Sequence, residues 1–359
     1  MRTPLEDCGA RRPDGQYTLD TYGTNVAKRA LRVLAALLVV AAGAAAVGAW
    51  QVLVPAPTVL EGSRRVDIPA NEGLLEIAQR LEEARVIRNR MAFVALAALR
   101  GNARHLKAGE YDIPPDASAL RVLQLLESGR VVHHPVLLPE GGSVFELARI
   151  LESERLAAAA DVIRLAHDRA FLRTLNIEAS SLEGYLFPDT YLFVRGLTTE
   201  EILARMVQRL RAKITPEMLD RARLRGLDLH GLLTLASIVE REAVVRGEMP
   251  LIAAVFWNRL RLDMPLQADP TVQYAVGKGR HALSRADLLT DDPYNTYRRP
   301  GLPPGPIASP GLAAVEATLS PAPVNYLYFV SIDARRHFFS STIQQHNAAV
   351  ARYRLARVR

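Results

Sequence analysis

A long uncharged apolar run near the N-terminus limits what this chain can fold into more than any other feature. No charged residue occurs between Val33 and Val54. A helix needs about 20 apolar residues to cross the hydrocarbon core of a bilayer, and the run is long enough. The sequence therefore predicts a single transmembrane helix over residues 28–54.

The charges around the run predict its orientation. Lys28, Arg29 and Arg32 crowd the N-terminal flank, whereas basic residues on the other side begin only at Arg64. Because cytoplasmic flanks carry the excess of positive charge, we expect the N-terminus to lie in the cytoplasm. The alternative is a cleaved signal peptide, since residues 44–49 are small. Its apolar core, however, usually runs ~7–15 residues and starts nearer the N-terminus.

Length and composition indicate two or three folded units. The chain has 359 residues, 49% of them hydrophobic, and one domain usually takes ~100–200 residues. The formal charge of +7 favours anionic partners such as lipid headgroups, nucleic acid or an acidic polymer. No RNA-binding aromatic motif, zinc spacing or phosphate-cradling glycine loop accompanies it, so nucleic acid is not an expected partner. The single cysteine, Cys8, precedes the apolar run, so the part that follows must fold without disulfides.

The chain before residue 141 is predicted to have three parts. Residues 1–27 carry no apolar period and are expected to form a disordered cytoplasmic tail before the helix at 28–54. Residues 60–140 are predicted to form a small α+β module. Its predicted elements are strands at 64–68, 106–113 and 131–138 and helices starting near 71, at 90–99 and at 118–126.

Residues 141–359 are predicted to form a larger, mainly helical α+β domain. Helical periodicity covers 144–156, 158–174, 199–213, 216–225, 229–246 and 249–263, and a basic helix is expected at 344–358. A structured loop at 181–191 and a Pro/Gly-rich region at 264–310 interrupt the helices, and 326–332 with 337–341 suggest a β-hairpin. The expected fold class of the whole chain is α+β.

Two glutamates in the helix predicted at 229–246 have different neighbours. Arg246 follows Glu242 by four positions, and an i,i+4 ion pair of this kind stabilises a helix by ~0.2–0.5 kcal/mol. Glu240 has only Ala, Ser and Val at those spacings and shares a stripe with Leu233 that should face protein. Burial raises a carboxyl pKa toward the ~6–7 that suits a general acid near neutral pH, so Glu240 is the candidate catalytic residue. The alternative is a glutamate at the edge of the stripe that reaches solvent or a distant arginine.

The loop at 181–191 holds two further acids and several aromatic residues. Glu183 and Asp189 are candidates for contact with a substrate, but either could simply organise a turn by accepting backbone N–H bonds. Tyr185, Phe187 and Tyr191 could belong to the core or form a stacking surface for sugar rings. Both alternatives stay open for the aromatic residues.

Polar side chains recur between apolar anchors in the region from 257 to 297. They could line a groove that binds a neutral, hydroxyl-rich substrate such as a glycan. The candidates are Asn258, Arg259, Gln267, Asp269, Thr271, Tyr294, Asn295 and Thr296. Asn, Asp and Pro are also abundant in any long loop, but loops of this length within a compact region are usually functional.

The sequence offers little support for metal or nucleophile chemistry. His133 and His134 lie in a predicted strand and would point to opposite faces, and no histidine has a metal-ligand spacing. No Gly-x-Ser-x-Gly motif occurs. We therefore expect neither a metal nor a cofactor.

Short motifs follow one another along most of residues 180–347. They include Leu182-Glu-Gly-Tyr-Leu-Phe-Pro-Asp-Thr-Tyr191 and Ala236-Ser-Ile-Val-Glu-Arg-Glu242, followed by segments at 258–260, 264–271, 284–287, 294–297, 301–307 and 326–330. Together they resemble the endolytic murein transglycosylase family, also called MltG or YceG-like. The anchor and the small module fit as well, because the family resembles single-pass proteins with a LysM-like module before the catalytic domain.

The resemblance implies an enzyme that cleaves β-1,4 bonds between N-acetylmuramic acid and N-acetylglucosamine within peptidoglycan strands. It implies a lyase that leaves 1,6-anhydro ends, with the family's catalytic glutamate falling on Glu240. Our hypothesis gives both proton-transfer roles to Glu240, with Glu183 supporting it or contacting substrate. The implied location is the bacterial inner membrane with the catalytic domain outside, and peptidoglycan synthases are the implied partners. The alternative function is a membrane-anchored scaffold that binds peptidoglycan without cutting it.

Overall fold

The computed structural model describes residues 20–57, 62–69, 72–101, 106–279, 281–333 and 335–357. Helices and short strands are mixed along these ranges, as the α+β fold class predicts. The chain divides after Arg130 into two compact units, called here the N-terminal unit and the C-terminal unit.

The N-terminal unit begins with one long helix, α1, which spans Asp20–Leu53. Within the described part of the chain, its segment Lys28–Leu53 is the one helix long and apolar enough to cross a membrane. The predicted N-terminal apolar helix is therefore present. It starts inside the segment predicted as tail, and residues 1–19 of that tail lie outside the described residues.

The remainder of the N-terminal unit is a small α+β module. Its elements are β1 (Arg64–Ile68), α2 (Leu74–Glu83), α3 (Arg90–Leu99), β2 (Gly109–Ile113) and α4 (Ala119–Ser128). The two strands pair antiparallel with Val66 opposite Tyr111. Asn89 and Ser118 cap α3 and α4, because their side chains accept backbone N–H bonds of the first helical turn.

The C-terminal unit is mainly helical. Its elements are β3 (His134–Leu137), α5 (Val144–Ser153), α6 (Ala159–Ala166), α7 (Arg169–Thr174), β4 (Thr190–Phe193), α8 (Thr199–Lys213), α9 (Pro216–Arg223), α10 (Leu229–Glu242), α11 (Met249–Arg261), α12 (Asp269–Ala275), α13 (Arg285–Leu288), α14 (Leu312–Leu319), β5 (Tyr328–Ser331), β6 (His337–Ser340) and α15 (Ile343–Arg357). Consecutive strands β5 and β6 pair antiparallel, with Phe329 opposite Phe339.

One strand belongs to a different unit from the one predicted. The segment 131–138 was expected to close the small module, but β3 pairs antiparallel with β4 of the C-terminal unit, with Val136 opposite Tyr191. The partner strand grows out of the loop at 181–191, where the sequence shows turn residues rather than a strand period. This pairing fixes the end of that loop against the start of the unit.

Helix α10 lies at the centre of the C-terminal unit, where it packs against α11 and α14. Asp228 caps its start by accepting the Gly231 N–H bond at 2.7 Å. All residues from Leu232 to Glu240 are buried, and α10 contributes to two apolar clusters. A helix apolar around its whole circumference belongs inside a core, so the buried carboxyl of Glu240 is the exception that calls for an explanation.

Candidate active site

The Glu240 carboxyl lies near the C-terminal end of α10 and meets the start of another helix. Only 9% of the residue is exposed, in agreement with the predicted inward orientation. Its Oε2 accepts the Gly311 N–H bond at 2.9 Å. Gly311 is the cap residue of α14, so the positive end of that helix faces the carboxyl and stabilises negative charge on it.

A proline-rich segment, residues 300–310, runs along the same face of α10. The Pro304 carbonyl contacts His230 Nε2 at 2.8 Å. One turn before Glu240, the Ser237 hydroxyl accepts the Ile307 N–H bond at 3.0 Å and is itself fully buried. Together with the Gly311 contact, these bonds hold the segment at three points along α10. The chain beside Glu240, the catalytic candidate, is thus fixed to α10.

Glu183 is the second buried carboxyl of this region. It is 3% exposed and accepts the Val144 N–H bond at the start of α5, at 3.2 Å. Burial raises the pKa of Glu183 to about 7, while the N–H groups of Val144 and Gly184 and the charge of Arg241 act in the opposite direction. The group therefore titrates near neutral pH.

Two tyrosines, Tyr274 on α12 and Tyr294, accompany Glu183. Their ring centroids are 4.9 Å apart. Burial raises the pKa of both phenols, and the negative charge of Glu183 adds to the shift of each. Sequence patterns pointed to Tyr294 but not to Tyr274. The Asp269-Pro270 pair, a typical helix start, could have predicted the helix that carries Tyr274.

The predicted pairing of Glu242 with Arg246 is wrong. Helix α10 ends at Glu242, and the extended backbone of Ala243 breaks the spacing that would bring Arg246 alongside. Arg246 instead pairs with Glu140 at 2.7 Å. Burial raises the pKa of Glu242 to about 8, with the Asp269 carboxylate adding to it, and the Asp269 N–H donates to the Glu242 carboxyl.

Glu140 lies beside the candidate site, although no sequence pattern pointed to it. Its carboxyl packs directly over Gly311, on whose N–H Glu240 depends, so that a Cβ at position 311 would overlap it. Next to it, Gly141 and Gly142 exchange two 2.8 Å backbone bonds with Ser309. The Pro-Glu-Gly-Gly stretch at 139–142 showed only as a turn in the sequence, and its contact with α14 depends on the tertiary fold.

Three predicted groove residues hold loops around α11. The buried Arg259 guanidinium donates to the carbonyls of Pro265, Leu266 and Leu327 at 2.7–3.1 Å, and to the Gln267 side chain at 3.2 Å. Asn258 donates to two carbonyls of the chain before β5. These bonds attach the segment after α11 and the β5 strand to one helix.

Asp269, Thr271 and Asn295 also bond to protein. The Tyr297 hydroxyl donates to Asp269 at 2.5 Å, and Thr271 shares a 2.8 Å bond with Thr296. The fully buried Asn295 amide donates to two carbonyls of its own loop. Substrate contact by these residues stays a prediction, and their visible role is to hold the loops that carry Tyr274 and Tyr294.

The two remaining candidates lie on the loop at 181–191. Tyr185 is buried, and its hydroxyl contacts His230 Nδ1 at 2.9 Å. Asp189 pairs with Arg209 of α8 at 2.6 Å. Although partial burial acts in the opposite direction, Arg209 and the Thr190 N–H hold the pKa of Asp189 below its ordinary value. The loop is thus fastened at two points, both of which follow Glu183 in the chain.

Glu240 and Glu183 lie on different segments, and each is next to a contact with the proline-rich segment or the start of α14. Glu240 accepts the Gly311 N–H bond, and Gly184, the neighbour of Glu183, packs so closely on Pro306 that a Cβ there would overlap the ring. In the described ranges, no group of three or more His, Cys, Asp or Glu residues is arranged to hold a metal ion. Proton transfer by a buried carboxyl beside aromatic and hydroxyl groups is the chemistry that these residues can perform.

Comparison with known proteins assigns the chain to a family. The model of the YceG-like family matches residues 66–352, and the chain therefore belongs to the YceG-like family. An endolytic murein transglycosylase of Bacillus subtilis strain 168 is 33% identical over 304 residues, which are 80% of this chain and 84% of that protein.

Two further similarities agree with that assignment. An endolytic murein transglycosylase of Streptococcus pneumoniae D39 is 31% identical over 80% of this chain, which spans 58% of that longer protein. The crystal structure of a YceG-like protein from Listeria monocytogenes matches with a TM-score of 0.57 and 32% identity, and the match covers 80% of this chain and 98% of that one. The resemblance inferred from the motifs is confirmed.

Proposed function

We propose that this protein is an endolytic peptidoglycan lytic transglycosylase. It would cleave β-1,4 bonds between N-acetylmuramic acid and N-acetylglucosamine within glycan strands and leave 1,6-anhydro-muramyl ends. Membership of the YceG-like family and the names of its relatives support this activity. The single observation that carries the proposal is the buried Glu240, held by the Gly311 N–H at the start of α14.

In the proposed mechanism one carboxyl performs two proton transfers. Glu240 first donates its proton to the glycosidic oxygen, and the bond from the muramic C1 to that oxygen breaks. Glu240 then takes the proton of the muramic 6-hydroxyl as this oxygen attacks C1. The proton count balances and no water is consumed, so a second carboxyl for activating water is not required.

The surroundings of Glu240 suit this cycle. The Gly311 N–H and the α14 dipole stabilise the carboxylate that remains after the first transfer. Because nucleophile and electrophile belong to the same sugar, a site that holds the ring in the reactive geometry gains from effective molarity. We assign Glu183, Tyr274 and Tyr294 to the positioning of that sugar, through its hydroxyls and its apolar face.

We propose that this is a single-pass protein of the bacterial inner membrane, with the N-terminus in the cytoplasm and the C-terminal unit outside. The exposed helix segment Lys28–Leu53 and the basic residues at its start support this topology. A periplasm-dependent reporter fused to the C-terminus should be active, and an inactive fusion that is stably expressed would refute the topology.

Two finer assignments depend on the family resemblance. We propose that the small module of the N-terminal unit is LysM-like and that the enzyme ends the elongation of nascent strands next to peptidoglycan synthases. A membrane anchor supports the second assignment, because new glycan is made at the membrane surface. Co-purification of synthases with the full chain from membranes tests it.

The decisive experiment incubates the full chain, in detergent, with purified sacculi and identifies the products by mass spectrometry. The wild type should release fragments with 1,6-anhydro-muramyl ends formed inside strands. Glu240→Gln removes the exchangeable proton but keeps the size and the Gly311 contact, so product should fall by at least the ~10²–10⁴-fold that a general acid contributes.

Glu316→Gln is the matched control, because Glu316 lies on α14 but is partly exposed and pairs with Arg221. It should keep wild-type activity. Binding of sacculi without any product from the wild type would instead favour the alternative, a non-cutting scaffold that recruits synthases. Full activity of Glu240→Gln would reassign the catalytic role, with Glu183 the next residue to test.

A further inference from the structure

Helix α3 of the N-terminal unit has an unusual surface for a short helix outside a membrane. Its sequence from Met91 to Leu99 contains no charged or hydrogen-bonding side chain. Only Phe93 and Ala97 are buried, whereas Met91 is 60% exposed and Leu99 is 88% exposed. A helix that is apolar all round is normally covered on every side by protein or lipid.

The exposed residues form one continuous stripe. Met91, Ala95, Ala98 and Leu99 are all exposed and, at 100° per residue, occupy about a third of the helix circumference. Phe93 and Ala97 point to the opposite side, into the module. We call these four exposed residues the α3 stripe. The partly exposed Leu96 and Val94 lie on its flanks.

The stripe belongs to a helix that packs directly against the membrane helix. Helix α3 and the end of α1 are in contact, and the Arg88 guanidinium lies 4.3 Å above the Trp50 ring. Arg88 also donates to the Val54 carbonyl at 3.3 Å. The module is therefore attached to the last turns of α1 rather than separated from them by a linker alone.

The length of α1 places this junction at the membrane surface. The uncharged run Val33–Val54 has 22 residues, slightly more than the about 20 that the hydrocarbon core requires. Trp50 therefore lies within about a turn of the headgroup region, where tryptophan is preferred.

We propose that the α3 stripe lies in the headgroup and upper acyl region of the bilayer that α1 spans, so that the module rests on the membrane surface. The occupant is lipid, because the stripe carries no polar side chain and belongs to a helix that contacts α1, with Arg88 over Trp50 near the end of the uncharged run. A protein surface or a second copy of the chain is the alternative that the experiment must separate. The proposal depends on α1 spanning the bilayer but not on the enzymatic activity.

The test uses the full chain in nanodiscs that hold one copy each, which prevents contact between copies. Cys8→Ser removes the native thiol, and single cysteines at Met91 and Leu99 then carry an environment-sensitive fluorophore. Leu75 on α2 is the matched control, since it is 54% exposed but its neighbours Glu76 and Gln79 are polar. Spin-labelled lipid with a shallow nitroxide serves as quencher.

We expect strong, blue-shifted and lipid-quenched emission from the Met91 and Leu99 labels, with severalfold less quenching at Leu75. A label at Leu38, in the middle of α1, reports on the anchor itself. Quenching at Leu38 without quenching at Leu99 would overturn the α3 contact alone, and no quenching at either site would overturn the anchor as well. A blue-shifted but unquenched Leu99 label would overturn lipid as the occupant.

A second variant checks that the apolar surface causes the contact. Met91→Asp introduces a charge at the stripe without touching the buried side of α3, and circular dichroism verifies that the helix content is kept. The label at Leu99 should then lose most of its quenching, because the charge resists entry into the apolar layer. Unchanged quenching would contradict the proposed insertion of the stripe.

Discussion

The amide of Gly311 donates its hydrogen bond to the carboxyl of Glu240, 71 positions earlier in the chain, at 2.9 Å. The bond joins the end of α10 to the start of α14. Glu140 closes the other side of the same glycine. Two carboxyls thus meet one residue that has no side chain.

Gly311→Ala should be destabilising through Glu140 rather than through the backbone. The φ angle of Gly311 is −76°, which alanine adopts readily, but the new Cβ would overlap the Glu140 carboxyl. Displacing that partly exposed carboxyl and its pair with Arg246 should cost up to about 1 kcal/mol. Glu140→Ala in the same chain should restore most of the loss, measured as non-additive unfolding free energies. Additive losses of unfolding free energy from the two substitutions would show that the chain relieves the overlap without moving Glu140.

Gly184→Ala should weaken the frame of the site. Gly184 has a φ of +80° and packs on the Pro306 ring, so alanine meets both backbone strain of about 1–2 kcal/mol and an overlap with a rigid ring. Gly196 has a φ of +86° with open space around it, and Gly196→Ala therefore measures the strain alone. Thermal unfolding should show the larger loss for Gly184→Ala, and equal losses would refute the close packing.

Ser237→Ala should loosen the proline-rich segment from α10. The Ile307 N–H would lose its acceptor in a buried position, which costs about 1–3 kcal/mol, and transglycosylase activity should fall with it. Thr318→Val is the control, since the Thr318 hydroxyl bonds only within α14, to Ala314. It should leave activity unchanged. Loss of activity in both variants would mean that activity follows general stability.

Glu183→Gln should change the pH dependence of stability. The folded chain binds the Glu183 proton with a pKa of about 7, against an ordinary value of 4.5. The stabilisation by this group is therefore complete below pH 4.5 and is lost as pH rises through 7. The variant should match the wild type at about pH 4 and exceed it at pH 8 by up to about 3 kcal/mol.

Chemical unfolding followed by the fluorescence of Trp257, in a Trp50→Phe background, measures this difference. Glu178→Gln, at an exposed position, should change stability equally at both pH values. A Glu183→Gln variant that is no more stable at pH 8 would mean that the Val144 N–H and the charge of Arg241 already offset the cost of burying the ionised carboxyl.

Sequence patterns predicted most of the helices, though not α12 or α14, and the inward orientation of Glu240, because these depend on local periodicity. The strand Arg64–Ile68 and the helix Arg90–Leu99 have the predicted bounds, and α10 starts at the predicted residue, Leu229. The stripe that contains Leu233 faces the core, as expected from its apolar spacing. The motifs then connected a buried acid to a family of known enzymes.

The remaining features depend on contacts between distant segments. The pairing of β3 with β4 depends on a partner strand that follows a loop, and α14 begins behind a proline-rich segment with a glycine as its cap. Arg246 pairs with Glu140 and not with Glu242, because α10 ends four residues before Arg246. In each case the deciding neighbour is distant in sequence, where spacing rules carry no information.

Glu183, Glu240 and Glu242 each accept a backbone N–H bond at the start of a helix. The donors are Val144 and Asp269, the first residues of α5 and α12, and Gly311, the cap residue of α14. Opening any one of these helix starts exposes a carboxyl that its neighbours help to bury. In hydrogen-exchange experiments the three amides should therefore exchange together, as one cooperative unit that opens less often than the surrounding loops. These three acids thus also hold the starts of α5, α12 and α14 in place.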